Sequence, residues 1–71
     1  MKKLNTYYVK GQFYHIKDLG RCLATSLYDL LDNEGINYSG YDTNELDDLS
    51  QELEDGYAIW IGDYEIIKEE E

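Results

Sequence analysis

Between Asp29 and Asp55 the chain places ten acidic residues and not one Lys or Arg. Any regular element in that stretch must turn its carboxylates to water, because burying an unpaired charge is prohibitively costly. Its leucines must then gather on the opposite side. Leu46, Leu49 and Leu53 do so at i, i+3 and i+7, a narrow apolar seam at helical spacing. Asp42 stands three residues before Glu45, close to the capping-box pattern, and Gly56 closes the segment. The spacing predicts an amphipathic helix with a wide acidic face.

The charge is segregated along the chain. Residues 1–21 hold five bases and one acid, a local net of +4, while residues 22–71 hold one base and 15 acids, a local net of −14. A total of −10 excludes a basic nucleic-acid-binding surface and docking on anionic lipid. With 42% hydrophobic residues and eight Tyr the chain is too apolar for acidic disorder, and 71 residues fit a single domain spanning 1–71. Cys22 is the only cysteine, so no internal disulfide forms and a reducing cytoplasm is the expected compartment. The longest apolar run, Tyr57 to Ile61, is too short to span a membrane. Polar residues soon after Lys2 and Lys3 leave no apolar core for an export signal, so no leader is expected to be removed.

The remaining elements follow from periodicity. Thr6–Val9 and Gln12–Ile16 are aromatic-rich runs separated by Lys10-Gly11, which reads as a β-hairpin. Leu19, Leu23, Leu27, Leu30 and Leu31 form one helical stripe, predicting a helix over 19–34 capped by Asp18 and ended by Gly35. Tyr57–Lys68 is strand-like around Gly62-Asp63. A turn there pairs Ile61 with Tyr64 and Ile59 with Ile66; one long strand with a glycine bulge is the alternative. Glu69, Glu70 and Glu71 read as a solvated tail. The expected fold is α+β, ββααβ(β), with two helices on one face of an antiparallel sheet. Its expected core is Leu23, Leu27, Leu30, Leu46, Leu49, Leu53, Ile59 and Ile66. Tyr7, Tyr14, Tyr57 and Tyr64 are expected to pack on strands, His15 to lie in a strand, and Cys22 to act as a small buried hydrophobe.

Chemistry-bearing motifs are scarce. Neither Asp29–Gly35 nor Asp42–Glu45 has the spacing of a calcium loop, and one His with one Cys cannot build a zinc site, so no metal or cofactor is expected. No nucleophile motif or glycine-rich phosphate loop accompanies Ser26, Ser39, His15 or Cys22, so an enzyme is not expected. The acidic helix is more informative. Glu45, Asp48, Glu52 and Asp55 follow one ridge at i, i+3, i+7 and i+10, with Cβ atoms about 5–6 Å apart. Like charges so placed destabilise a helix by about 0.2–0.5 kcal/mol per pair, and no Lys relieves them. Asp29 and Asp32 end the preceding helix, and Tyr38 and Tyr41 bracket the linker between the two acidic segments. Tyrosine supplies rigid contact area with a hydrogen-bonding tip. The eight residues Asp29, Asp32, Tyr38, Tyr41, Glu45, Asp48, Glu52 and Asp55 therefore form a candidate surface for a basic, nucleic-acid-binding protein. The alternative is a solvated face that serves solubility.

This profile of a short, acidic, aromatic-rich chain resembles the small anti-restriction and anti-CRISPR inhibitors of phages and mobile elements, several of which mimic DNA. The resemblance lies in composition and charge pattern over residues 29–71. The segment Tyr57-Ala-Ile-Trp60-Ile-Gly-Asp63-Tyr64-Glu65 also resembles the Trp/Asp-Tyr-Glu segments of anti-restriction proteins. The resemblance implies an inhibitor that occupies the basic groove of a CRISPR effector or restriction enzyme, as a monomer or homodimer in the cytoplasm, the host's if phage-encoded. A small acidic adaptor in a cytosolic complex is the alternative.

Overall fold

A computed structural model describes residues 3–69. Its elements run β1 (Asn5–Gly11), β2 (Gly20–Ala24), α1 (Leu27–Glu34), α2 (Thr43–Glu54), β3 (Ile59–Ile61) and β4 (Tyr64–Glu69). The strands form one four-stranded sheet in the order β2-β1-β4-β3, with every pairing antiparallel. The fold is α+β, ββααββ, as the periodicity led one to expect.

Both termini of the expected order need correction at their edges. Gln12–Ile16 is not a strand, and no tight turn forms at Lys10-Gly11. Gly11 instead completes β1 opposite Tyr64, and the Gln12 N–H donates to the Asp63 carbonyl at 2.8 Å. The Gln12 side-chain amide donates to the carbonyls of Gly62 (2.9 Å) and Tyr64 (3.1 Å). These bonds staple the chain to the β3–β4 turn, so it cannot fold straight back. A compact loop follows, in which the Ile16 carbonyl packs on Gly11; a Cβ at Gly11 would sit 2.2 Å from that oxygen. Only glycine fits there.

The return strand is β2, drawn from the segment expected to open the first helix. Cys22 and Ala24 are buried while Arg21 and Leu23 are exposed, the alternation of a strand. Leu19 and Leu23 share one face of a strand as well as of a helix, so their spacing alone does not separate the two. The strand prevails because β2 supplies hydrogen-bond partners to the otherwise open edge of β1, from Asn5↔Ala24 to Val9↔Gly20. The helix therefore starts later. Ser26 is its N-cap, its hydroxyl accepting from the Asp29 N–H at 3.3 Å, and Asp29 Oδ2 accepts from the Thr25 N–H at 2.9 Å. Asp18, expected as that cap, instead accepts from the Gly11 N–H at 2.9 Å. Gly35 ends α1 in the left-handed region at φ 67°, as its position suggests.

The α2 helix and the C-terminal hairpin follow the sequence closely. Asp42 Oδ1 accepts from the Glu45 N–H at 2.8 Å, and Gly62 takes the turn position that calls for positive φ, at 58°. The register pairs Ile59 with Ile66 and Ile61 with Tyr64. Glu69 belongs to β4 opposite Thr6 rather than to a tail, and Glu70 and Glu71 lie outside the described residues.

One core fills the space between the sheet and the two helices, with Leu27, Leu30, Leu46, Leu53, Ile59 and Ile66 in it and Leu49 packed against it. Tyr7, Val9, Cys22, Ala24, Leu31, Ile36 and Ile61 complete it. Leu23, expected in the core, is 58% exposed on the other side of the sheet. Tyr7 and Tyr64 pack as expected, whereas Tyr57 and Tyr14 stand in solvent. His15 lies in the exposed loop, its ring 5.8 Å from that of Phe13 and 5.4 Å from that of Tyr14. Among the described residues no helix is long and apolar enough to cross a membrane.

Candidate functional site

The α2 helix lies on the sheet through Leu46 and Leu53, both buried, which fixes the direction of every carboxylate along it. Asp47 and Glu54 fall on the flank turned toward the rest of the protein, and both find partners. The Tyr28 hydroxyl of α1 donates to Asp47 Oδ1 at 2.8 Å, and Lys68 of β4 pairs with Glu54. Glu45, Asp48, Glu52 and Asp55 are exposed on the other sides of the helix. Among the described residues no Lys or Arg forms an ion pair with any of these four. Asp55 also caps the helix C-terminus, and its Oδ1 accepts from the Gln51 amide at 3.2 Å.

The other four expected site residues are distributed differently. Asp32 is exposed near the end of α1, and its Oδ1 accepts from the Tyr38 hydroxyl at 2.9 Å. The half-buried Tyr38 ring packs against the core, so its phenol is aimed by packing as well as by the bond. Asp29 is half-buried and turned to the β2–α1 junction, where Thr25 donates to it through both its N–H and its hydroxyl. Its carboxylate serves the helix start and is not part of an open acidic row. Tyr41 packs on the core next to β3, with its hydroxyl 3.5 Å from the Trp60 carbonyl. The structure thus joins Asp32 with Tyr38 and keeps the α2 ridge intact, while Asp29 and Tyr41 point elsewhere.

A seam that sequence spacing does not reveal links the two acidic helices. Donation to Asp47 raises the Tyr28 phenol above its ordinary pKa, and donation to Asp32 does the same to Tyr38. The bonds hold both tyrosines as protonated donors. Tyr28 is simply one more residue of the leucine-rich helix in sequence, and its pairing across 19 positions leaves no local signal.

Comparison with known protein families, with curated proteins and with solved structures finds no match. Function must be argued from the surface itself. Among the described residues no group of three or more His, Cys, Asp or Glu side chains is placed to hold a metal ion.

Proposed function

We propose that the chain is a protein-binding inhibitor whose α2 ridge occupies the Lys/Arg-lined groove of a nucleic-acid-binding protein and keeps DNA or RNA out. The carrying observation is the sorting of the acids. Asp29 and Asp42 serve helix starts, Asp32 and Asp47 take tyrosine hydroxyls, and Glu54 and Glu69 take bases. On α2, Glu45, Asp48, Glu52 and Asp55 form one outward row that has no cation among the described residues. Such a row steps at about the spacing of neighbouring helix side chains, about 5–6 Å, and presents regularly spaced negative charge to a groove built for phosphates. Its natural targets are host defence proteins, CRISPR effectors or restriction enzymes, encountered in the cytoplasm. Tyr38, which donates to Asp32 at 2.9 Å on the α1 side, offers a separate, partly exposed contact.

The reading is tested by affinity capture from a host lysate followed by salt titration of the captured complex. A partner held through phosphate-like contacts dissociates steeply as salt rises, and it is a nucleic-acid-binding protein. A partner held through apolar contact, and so insensitive to salt, would favour the adaptor alternative.

A further inference from the structure

Among the described residues the one core lies on the helix side of the sheet, and no helix packs on the other side. Strand alternation turns Thr6, Tyr8 and Lys10 of β1, Arg21 and Leu23 of β2, Trp60 of β3, and Glu65, Ile67 and Glu69 of β4 to that side, opposite the buried Tyr7, Val9, Cys22, Ala24, Ile59, Ile61 and Ile66. Register sets them in rows: Leu23–Thr6–Glu69, then Arg21–Tyr8–Ile67, then Lys10–Glu65–Trp60. Leu23 and Trp60 are more than half exposed, at 58% and 54%. The charges on this face balance, with Lys10 and Arg21 on the β1/β2 half and Glu65 and Glu69 on the β4 half. It is the face on which a chain of net charge −10 can meet a like chain with least repulsion. The ridge carboxylates lie across the sheet, and at physiological salt the screening length is about 8 Å.

We infer that a second copy of this chain covers the open sheet face, through a two-fold axis parallel to the strands and midway between β1 and β4. That operation lays β1 of one copy over β4 of the other. It puts Lys10 over the partner copy's Glu65 and Tyr8 over the partner copy's Ile67, each contact occurring twice. Both pairs lie next to the axis, so the angle of about 30° between stacked sheets leaves them in register. The other in-plane two-fold, across the strands, sets Arg21 on Arg21 and Glu65 on Glu69, like charge on like. Charge therefore selects the first axis. Four strands about 4.8 Å apart and about five residues long give a face of roughly 300 Å2 in projection, about 600 Å2 for the two copies. This is below the roughly 1,200–2,000 Å2 of a stable specific contact, so the dimer is weak and forms only at high concentration. The inference stands apart from the inhibitory reading, and the ridges of such a dimer face outward on opposite sides.

The test is sedimentation equilibrium of the full chain from about 10 μM to about 1 mM, the range a weak dimer spans. The wild type is expected to move from 8.3 kDa toward twice that mass, with Trp60 emission shifting to the blue as its ring leaves water. Lys10→Glu alone and Glu65→Lys alone set like charges across the axis and should stay monomeric. Mixed in equal amounts they should associate again, because every crossing then joins an acid to a base. The mixture also controls for folding, since misfolded variants cannot recover association. A wild type that stays monomeric throughout, variants that dimerise singly as well as the wild type, or a mixture that does not associate would each overturn the inference.

Discussion

Leu27→Ala and Leu23→Ala form a matched pair that tests the fold at the point where sequence periodicity misleads. On a single helical stripe the two leucines are equivalent, four residues apart on one face. In the structure Leu27 opens α1 with 1% of its surface exposed, whereas Leu23 lies on the open face of β2 at 58%. Truncating a fully buried leucine removes its transfer free energy and leaves a cavity, together about 2–5 kcal/mol. Full burial of a leucine side chain is worth about 1.5–3 kcal/mol, and Leu23 is less than half buried, so its truncation should cost under about 1 kcal/mol. A domain of this size has a total stability of about 4–11 kcal/mol, so the first change is severe and the second mild. At about 4–8 °C per kcal/mol the melting midpoints should differ by more than about 4 °C. Thermal melts followed by circular dichroism at low micromolar concentration read this directly. Equal losses at the two positions would refute the placement of 20–24 in a strand.

Two further outcomes follow from single contacts. Gly11→Ala drives a Cβ to 2.2 Å from the Ile16 carbonyl oxygen, so the 12–18 loop must shift; a loss of about 1–3 kcal/mol is expected from such overpacking, and a urea midpoint unchanged by the substitution would contradict the loop geometry. Burial pushes the Tyr7 phenol above its ordinary pKa, outweighing the bond from Asn5 that lowers it. The folded state therefore keeps a proton that the unfolded chain gives up near pH 10, so this stability is whole below about pH 10 and lost as pH rises through the folded value. Tyr28 and Tyr38, raised by their carboxylate partners, act in the same direction. Urea midpoints should fall between pH 9 and 11, less so in Tyr7→Phe; a rise over that window would show the sign to be wrong.

What could be read in the sequence was whatever rests on local chemistry. Asp42 with Glu45 marks the start of α2, its leucines mark the buried side, and Gly62-Asp63 between β-prone runs marks the C-terminal hairpin with its register. The first half was less legible because its decisive bonds are long-range. Gln12 is held by the β3–β4 turn some 50 residues on, and nothing local in the sequence reports that. One local signal was there to be used. Ser26-Leu27-Tyr28-Asp29 is a Ser-x-x-Asp start just ahead of Leu30 and Leu31, and it places the helix N-terminus at Ser26 rather than Asp18. The ridge was legible because a helical face follows from spacing alone. The fates of Asp47 and Tyr41 were not, because each depends on an element that arrives from elsewhere in the chain, whereas that of Asp29 lay in the same local Ser-x-x-Asp start.

The function proposed for the outward carboxylate row is competition with nucleic acid. It is tested most directly by neutralising the row, Glu45→Gln, Asp48→Asn, Glu52→Gln and Asp55→Asn together, and comparing the variant with the wild type in displacing a labelled oligonucleotide from the captured partner. Relief of like-charge repulsion should leave the fold as stable as the wild type or slightly more so. Single changes at the rim should act mildly, on association rate and salt dependence. The wild type should displace the oligonucleotide and the fourfold variant should not. Equal displacement by the two would mean that the ridge is a solvated face and nothing more.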